Sequence, residues 1–298
     1  MALTRRHWLE LAALALVASR RARAETGLLG VRELAVPGAG KFGKKCLLLR
    51  PRRAAENASL PLLVLFHGLG ETESEALGIH AWNDRYGLGE AYARLVAPPV
   101  TRTLPNKRYL SDTRLSEING DLVAAPLPDL NIVCPFTPNP FKINPSAPLL
   151  DAYANYIEHA LLPAVQGAVP TRVGAEHTGV DGVSLGGYVS LEVFLRKPAL
   201  FGTIGTMQGA FGKQLAEVYA RKCAALGGLG EQRPRRFHVT TSSYDPFREA
   251  AELFARRLKE RGLDVTLTLP EGPHDQTFLR EAGSLETLLF QARSLAKD

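Results

Sequence analysis

The apolar run His177–Val183 ends in the pentapeptide Gly182-Val183-Ser184-Leu185-Gly186, and a helical pattern follows at once. Strand, sharp turn and helix in that order give G-x-S-x-G its meaning. Such a turn holds the serine in a strained backbone conformation, so its flanking positions must be small. Gly182 and Gly186 meet that need, and Gly187 extends it. The Ser184 hydroxyl is pushed out above the sheet. The next amide, Leu185, faces the same spot from a helix N-terminus. Five residues thus build a nucleophile and one oxyanion donor.

Strand and helix patterns alternate along the rest of the chain. Gly30–Val36 and Lys44–Leu49 read as two opening strands around a Pro37-Gly38 turn, and Pro61–Phe66 as a buried strand bounded by Pro61 and Gly68. Ala81–Val96 has helical spacing, while residues 97–129 are rich in proline and turn residues with little periodicity. Strands are expected at Asn131–Cys134, His177–Val183, Phe201–Met207, Phe237–Ser242 and Asp264–Leu269. Helices are expected at Leu149–Val165, Leu185–Arg196, Phe247–Arg261 and Leu279–Ala296. This alternation predicts one mostly parallel, doubly wound α/β sheet with helices on both faces. In such sheets the site lies at the carboxyl ends of the strands.

A serine hydroxyl needs a base, usually histidine, oriented by a carboxylate. His80, His159 and His177 fall in a loop, a helix and a strand start, and His238 lies inside a strand, where a core role is expected. His274 follows the last strand in Pro270-Glu271-Gly272-Pro273-His274-Asp275, with Gly272 and Pro273 fixing a turn that aims its ring. Asp245 follows the preceding strand and is the expected orienting acid; it also suits a helix N-cap, since Pro246 comes next. Asp264 begins a strand at the wrong edge, Asp275 adjoins His274 in sequence, and Glu271 is the runner-up acid. The order Ser184, Asp245, His274 is the order found in α/β hydrolases. A second oxyanion donor is expected from Phe66-His67-Gly68-Leu69-Gly70: the Leu69 amide, with Gly68 as the alternative.

These residues together resemble the α/β-hydrolase superfamily over most of residues 30–298. Within it the chain is similar to the esterase group that includes the esterase D type, feruloyl and acetylxylan esterases and polyhydroxyalkanoate depolymerase-like enzymes. Leu65-Phe66-His67-Gly68, Gly182-Val183-Ser184-Leu185-Gly186-Gly187, the Asp245 segment with Phe254 and Leu258, and Gly272-Pro273-His274-Asp275 carry the resemblance. It implies a serine esterase working through an acyl-enzyme on small-molecule or carbohydrate-linked esters, without a cofactor. An acyltransferase of the same fold and a non-catalytic binding protein on a hydrolase scaffold are the alternatives. His67, Gln208 and Tyr109 are candidate substrate contacts, and residues 71–128 are long enough to lay a partial lid. A metal at His67 is disfavoured, since no carboxylate or histidine stands at ligand spacing nearby.

The first 24 residues read as a targeting segment ahead of a hydrolase domain at 25–298. Arg5-Arg6 precedes a short apolar stretch, Leu9–Val17, and Ala22-Arg23-Ala24 offers a small-x-small cleavage site. The stretch is too short to span a bilayer, so no stable membrane span is expected after cleavage. The segment resembles a twin-arginine export signal, and the expected address is the bacterial periplasm or the outside of the cell. It carries five Arg against one Glu, which leaves only +2 of the formal +6 for the remainder. The basic balance is therefore no indication of nucleic-acid binding. Cys46, Cys134 and Cys223 form no C-x-x-C and are expected to be free and buried.

Overall fold

The computed structural model describes residues 27–228 and 234–296, so the expected export segment lies outside the described residues. Eight strands are present in them: β1 Leu29–Ala35, β2 Lys45–Pro51, β3 Leu62–Phe66, β4 Asn131–Pro135, β5 Thr178–Gly182, β6 Thr203–Met207, β7 Arg236–Thr240 and β8 Asp264–Thr268. They form one sheet in the order β1-β2-β4-β3-β5-β6-β7-β8. The β1–β2 and β2–β4 pairs are antiparallel and all other pairs parallel. From β3 the chain steps one way to β4, then crosses to β5 and continues the other way. That reversal opens a crevice at the carboxyl ends of β3 and β5. Phe66 pairs with Gly182, so the segments leaving these two strands start at the same height.

Period-two alternation divides the strand side chains between two cores. Leu62, Val64 and Phe66 of β3 join a cluster with Leu149, Tyr153, Val189, Phe194, Tyr219 and Phe254, whereas Leu63 and Leu65 join Trp82, Leu88, Ile118, Phe278 and Leu285 on the other face. The first face is covered by α4 (Ala147–Tyr156), continuing through a π turn into α5 (Leu162–Ala168), and by α6 (Leu185–Arg196), α7 (Lys213–Leu226) and α8 (Arg248–Glu260). The second is covered by α1 (Glu75–His80), α2 (Leu88–Val96), α3 (Asp112–Ala124), the short α9 (Gln276–Phe278) and α10 (Ser284–Leu295). All three cysteines are free and buried.

Three stretches differ from expectation. The helix expected over Ala81–Val96 breaks at Gly87, whose φ of 71° is left-handed; a π turn precedes the break and α2 follows it. The proline-rich stretch 97–129 contains α3, of which only Ile118 and Leu122 are buried, too few to give a visible period. Polar contacts hold it instead. Arg114 makes a bidentate pair with the buried Glu286 at 2.8 and 2.7 Å, and Asn119 bonds the Val100 main chain. Arg94 and Thr103 similarly meet the buried Glu281. The helices of the expected partial lid are thus built into the second face. Finally, α7 lacks any counterpart in the expectations.

Candidate active site

Ser184 adopts φ 56° and ψ −115°, one of two non-glycine residues with positive φ among those described. That conformation costs about 1–3 kcal/mol and persists only where the surroundings over-determine it. Here they do. Ser184 N–H donates to Met207 O and its carbonyl accepts from Ala210 N–H, both at 2.9 Å, so the strand end of β6 grips the elbow on both sides. A Cβ at Gly186 would collide with the Phe66 carbonyl, and one at Gly182 with the Gly186 backbone. The Leu185 N–H, at the start of α6, has no acceptor among the described residues. It stands free at the positive end of a twelve-residue helix.

His274 leaves β8 on the same edge. Its Nδ1–H donates to Asp245 Oδ1 at 2.8 Å. The Asp245 side chain is 0% exposed and that of His274 25%. Asp245 Oδ2 accepts from Thr241 Oγ1 at 2.6 Å, and Oδ1 also accepts from Phe247 N–H at 3.1 Å. Three donors thus satisfy the oxygens of the buried carboxylate. Of the two roles weighed for Asp245, the bond to the imidazole is present, whereas the N-cap of α8 is Phe247, without a side-chain cap. Asp275 instead caps α9, accepting from Phe278 N–H, and Glu271 is exposed. Phe247 packs edge-on to the His274 ring. With Nδ1 bound to a carboxylate, Nε2 is the nitrogen left to take a proton. It has no partner among the described residues, and Ser184 Oγ is not hydrogen-bonded to it. Such catalytic bonds tighten when substrate binds.

Gln208, at the end of β6, lies between the Ser184 elbow and the His274 loop. It is fully buried with φ 47°, and its N–H donates to Thr240 O at 2.6 Å. Its Nε2 donates to Ser242 Oγ at 2.7 Å and to Pro273 O, the residue before His274, at 3.0 Å. Met207, the preceding residue, holds the Ser184 amide. Gln208, expected as a substrate contact, turns its amide donors to the histidine loop, while its buried Oε1 has no partner among the described residues.

The oxyanion segment leaves β3 opposite the elbow. A Cβ at Gly68 would lie 3.8 Å from Ser184 Cβ, so the segment passes directly beside the nucleophile. Gly68 N–H is not available to substrate, because it donates to Tyr86 Oη at 3.1 Å. Leu69 N–H has no acceptor among the described residues, and its side chain is exposed. Of the two amides considered, Leu69 is the open one. Tyr86 donates in turn to Glu71 Oε2, and Arg85 pairs with Glu71 Oε1 at 3.1 Å.

His67 and Tyr109 are also corrected as substrate contacts. His67 is fully buried; Nδ1–H donates to Gly68 O at 2.9 Å and Nε2 accepts from Thr137 N–H at 2.8 Å, which leaves no ring nitrogen for a ligand. Burial pushes its pKa down to about 4. Tyr109 is buried edge-on against Phe278 and lies beside Gly272, backing the histidine loop. His238 has the core role expected, stacked on Phe290 and bonded to Thr240 and Thr268. No group of three or more His, Cys, Asp or Glu suited to a metal occurs among the described residues. Glu71 and Thr241 were not singled out for the site by motif or order, because their parts are played through hydrogen bonds across the fold.

The sheet, the strained serine after β5 and the Asp–His pair beyond β7 and β8 define an α/β hydrolase. Residues 138–283 match the family model described as "Putative esterase", which supports a carboxylic-ester hydrolase. Similar solved structures include a ferulic acid esterase of Anaeromyces mucronatus, 15% identical with a TM-score of 0.56, over 90% of this chain and 91% of that one. The S-formylglutathione hydrolase of Staphylococcus aureus is 15% identical with a TM-score of 0.55, over 89% and 97%. The enterobactin esterase of Shigella flexneri is 18% identical with a TM-score of 0.57, over 89% of this chain and 60% of that one. At these identities the likeness is one of fold. No curated protein matches the sequence.

Proposed function

We propose that this chain hydrolyses carboxylic esters through an acyl-enzyme on Ser184, with His274 as base, Asp245 as its orienting acid, and the Leu69 and Leu185 amides as the oxyanion hole. The observation that carries this reading is the 2.8 Å bond from His274 Nδ1–H to the buried Asp245 at the same sheet edge as the strained Ser184. Ser184 Oγ attacks the ester carbonyl while His274 Nε2 takes its proton. Asp245 keeps the ring in the required tautomer and stabilises the imidazolium. Charge on the carbonyl oxygen is met by the two free amides. His274 then passes its proton to the departing alkoxide, and a water activated by the same nitrogen releases the acid. Fluorophosphonate labelling followed by intact-protein mass spectrometry tests the assignment: the wild type should take one label and Ser184→Ala none. Labelling that persists in the variant would move the nucleophile elsewhere.

Small-molecule or carbohydrate-linked esters are the proposed substrates. The ferulic acid esterase, S-formylglutathione hydrolase and enterobactin esterase of similar fold motivate a panel of acetyl, feruloyl and longer acyl esters, with kcat/KM as the readout. Export through the twin-arginine route to the periplasm or beyond is proposed from residues 1–24 alone. Replacing Arg5-Arg6 by Lys-Lys should hold the protein in the cytoplasm on cell fractionation, and unchanged export would point to the general secretory route. No helix among the described residues is long and apolar enough to cross a membrane.

A further inference from the structure

Glu71 and Tyr86 form a buried polar pair directly behind the oxyanion segment. Tyr86 Oη accepts the Gly68 N–H at 3.1 Å and donates to Glu71 Oε2, while Glu71 Oε1 faces Arg85 Nη1 at 3.1 Å. Both carboxylate oxygens are therefore engaged, and the residue is 3% exposed. The acidic partner polarises the phenol, making its oxygen a stronger acceptor for the glycine amide. Burial and the neighbouring carboxylate both push the Tyr86 pKa upward, so the phenol stays protonated. The Tyr86 ring is itself held, edge-on to Trp82, whose indole N–H donates to Phe66 O. Arg85 extends the brace toward the base. The Gln276 amide, in the orientation its neighbours require, accepts from Arg85 Nε at 3.1 Å and Nη2 at 2.8 Å, two residues beyond His274. No alternative partner holds Gly68 N–H, and a Cβ at Gly68 would press on the phenol oxygen at 3.2 Å.

We propose that Tyr86 is a positioning residue for the oxyanion hole: by taking the Gly68 N–H it fixes the His67–Gly68 peptide, which anchors the next peptide, held at its carbonyl by His67 Nδ1–H, so that the Leu69 N–H faces the acyl oxygen. The proposal rests on Leu69 being an oxyanion donor, as above. Binding of a substrate carbonyl in its ground state asks little of that amide, whereas the negative oxygen of the tetrahedral state asks much. Loosening the peptide should therefore lower kcat rather than raise KM. Misaiming a donor is a smaller loss than removing one, which typically costs 10²–10³ in kcat.

The test compares the full-length wild type with Tyr86→Phe, using p-nitrophenyl acetate turnover and inhibition by a trifluoromethyl ketone. That inhibitor adds to Ser184 Oγ as a hemiketal; the serine proton passes to His274 and the carbonyl oxygen becomes an oxyanion in the hole. The expected result is a kcat lower by about 10- to 100-fold, KM within about twofold, and inhibitor affinity weakened by the same factor as kcat/KM. Unchanged kcat, or a lowered kcat with unchanged inhibitor affinity, would overturn the positioning role. Should Tyr86→Phe fail to show a cooperative melt, Glu71→Ala removes the acceptor that orients the phenol and should give the same paired loss; a rise in KM alone would count against it. A wild type inert to both ester and fluorophosphonate would instead defeat the hydrolase reading itself, an outcome distinct from a variant that matches an active wild type.

Discussion

His67 and His274 each stand just past the carboxyl end of a parallel strand, next to glycine-bearing loops, yet the fold gives them opposite work. His67 gives both ring nitrogens to main chain, at 2.9 and 2.8 Å, and is sealed from solvent. His274 gives one nitrogen to a buried carboxylate and keeps the other open toward the cleft. A main-chain carbonyl fixes a tautomer and favours an imidazolium only weakly, not enough to offset burial at His67, whereas a carboxylate carries the full opposite charge. A strand-end position is therefore only a precondition for general base catalysis. The partner at Nδ1 and the freedom of Nε2 decide whether a histidine braces a loop or moves a proton.

That contrast breaks most visibly by mutation. His274→Ala should lower kcat by about 10⁵- to 10⁶-fold, as removal of a triad base does, with thermal melting close to wild type. Retention of turnover in His274→Ala, with loss in a folded His67 variant, would exchange the two roles. Asp245→Asn should follow at about 10⁴-fold, since an amide favours the wrong tautomer of the ring; near-normal steady-state turnover would hand the acid's place to Glu271. Gln208→Leu comes next. Its two donors to Ser242 and Pro273 are lost, and displacement of the His274 loop by about 1 Å should cost about 10²-fold in kcat. Equal rates of fluorophosphonate labelling in this variant and the wild type would show that the loop keeps its place unaided.

How far the sequence reaches follows the same division. Ser184, Asp245 and His274 were legible because each sits at a strand end and their order along the chain is diagnostic. The family model covers that same part, residues 138–283, and leaves the His67–Glu71 segment outside. At that segment the glycines announced an exposed amide, but not which one. The choice of Leu69 over Gly68 depends on Tyr86, 18 residues from Gly68, which helical spacing marks only as core. Gln208 was read by its position at the carboxyl edge, and only its contacts reveal that its amide donors hold the histidine loop. The sheet was readable from alternating buried strands, whereas α3 was not. Its attachment through Arg114–Glu286 links positions 172 apart and leaves no local period.

The smallest effect concerns proton uptake by the buried groups. His67 falls from an ordinary 6.5 to about 4 and His238 to about 3, both through burial. Between pH 4 and 6.5 the unfolded chain binds protons at both sites and the folded protein does not, so their contribution to stability falls as the pH falls through that window. Asp181 runs the other way. Burial raises it from 3.8 to about 7, so it stays protonated when folded and ionises when unfolded, and its contribution falls as the pH rises. Two sites against one leave a net difference of about one proton, a slope of about 1.4 kcal/mol per pH unit. His67→Gln, retaining a side chain that can bridge Gly68 and Thr137, should remove that net difference. Urea unfolding at intervals from pH 4.5 to 6 should give a curve flatter than wild type by about that slope. Parallel curves would mean that His67 binds its proton equally in both states, and the distinction between a sealed brace and an open base would then rest on hydrogen-bond partners alone.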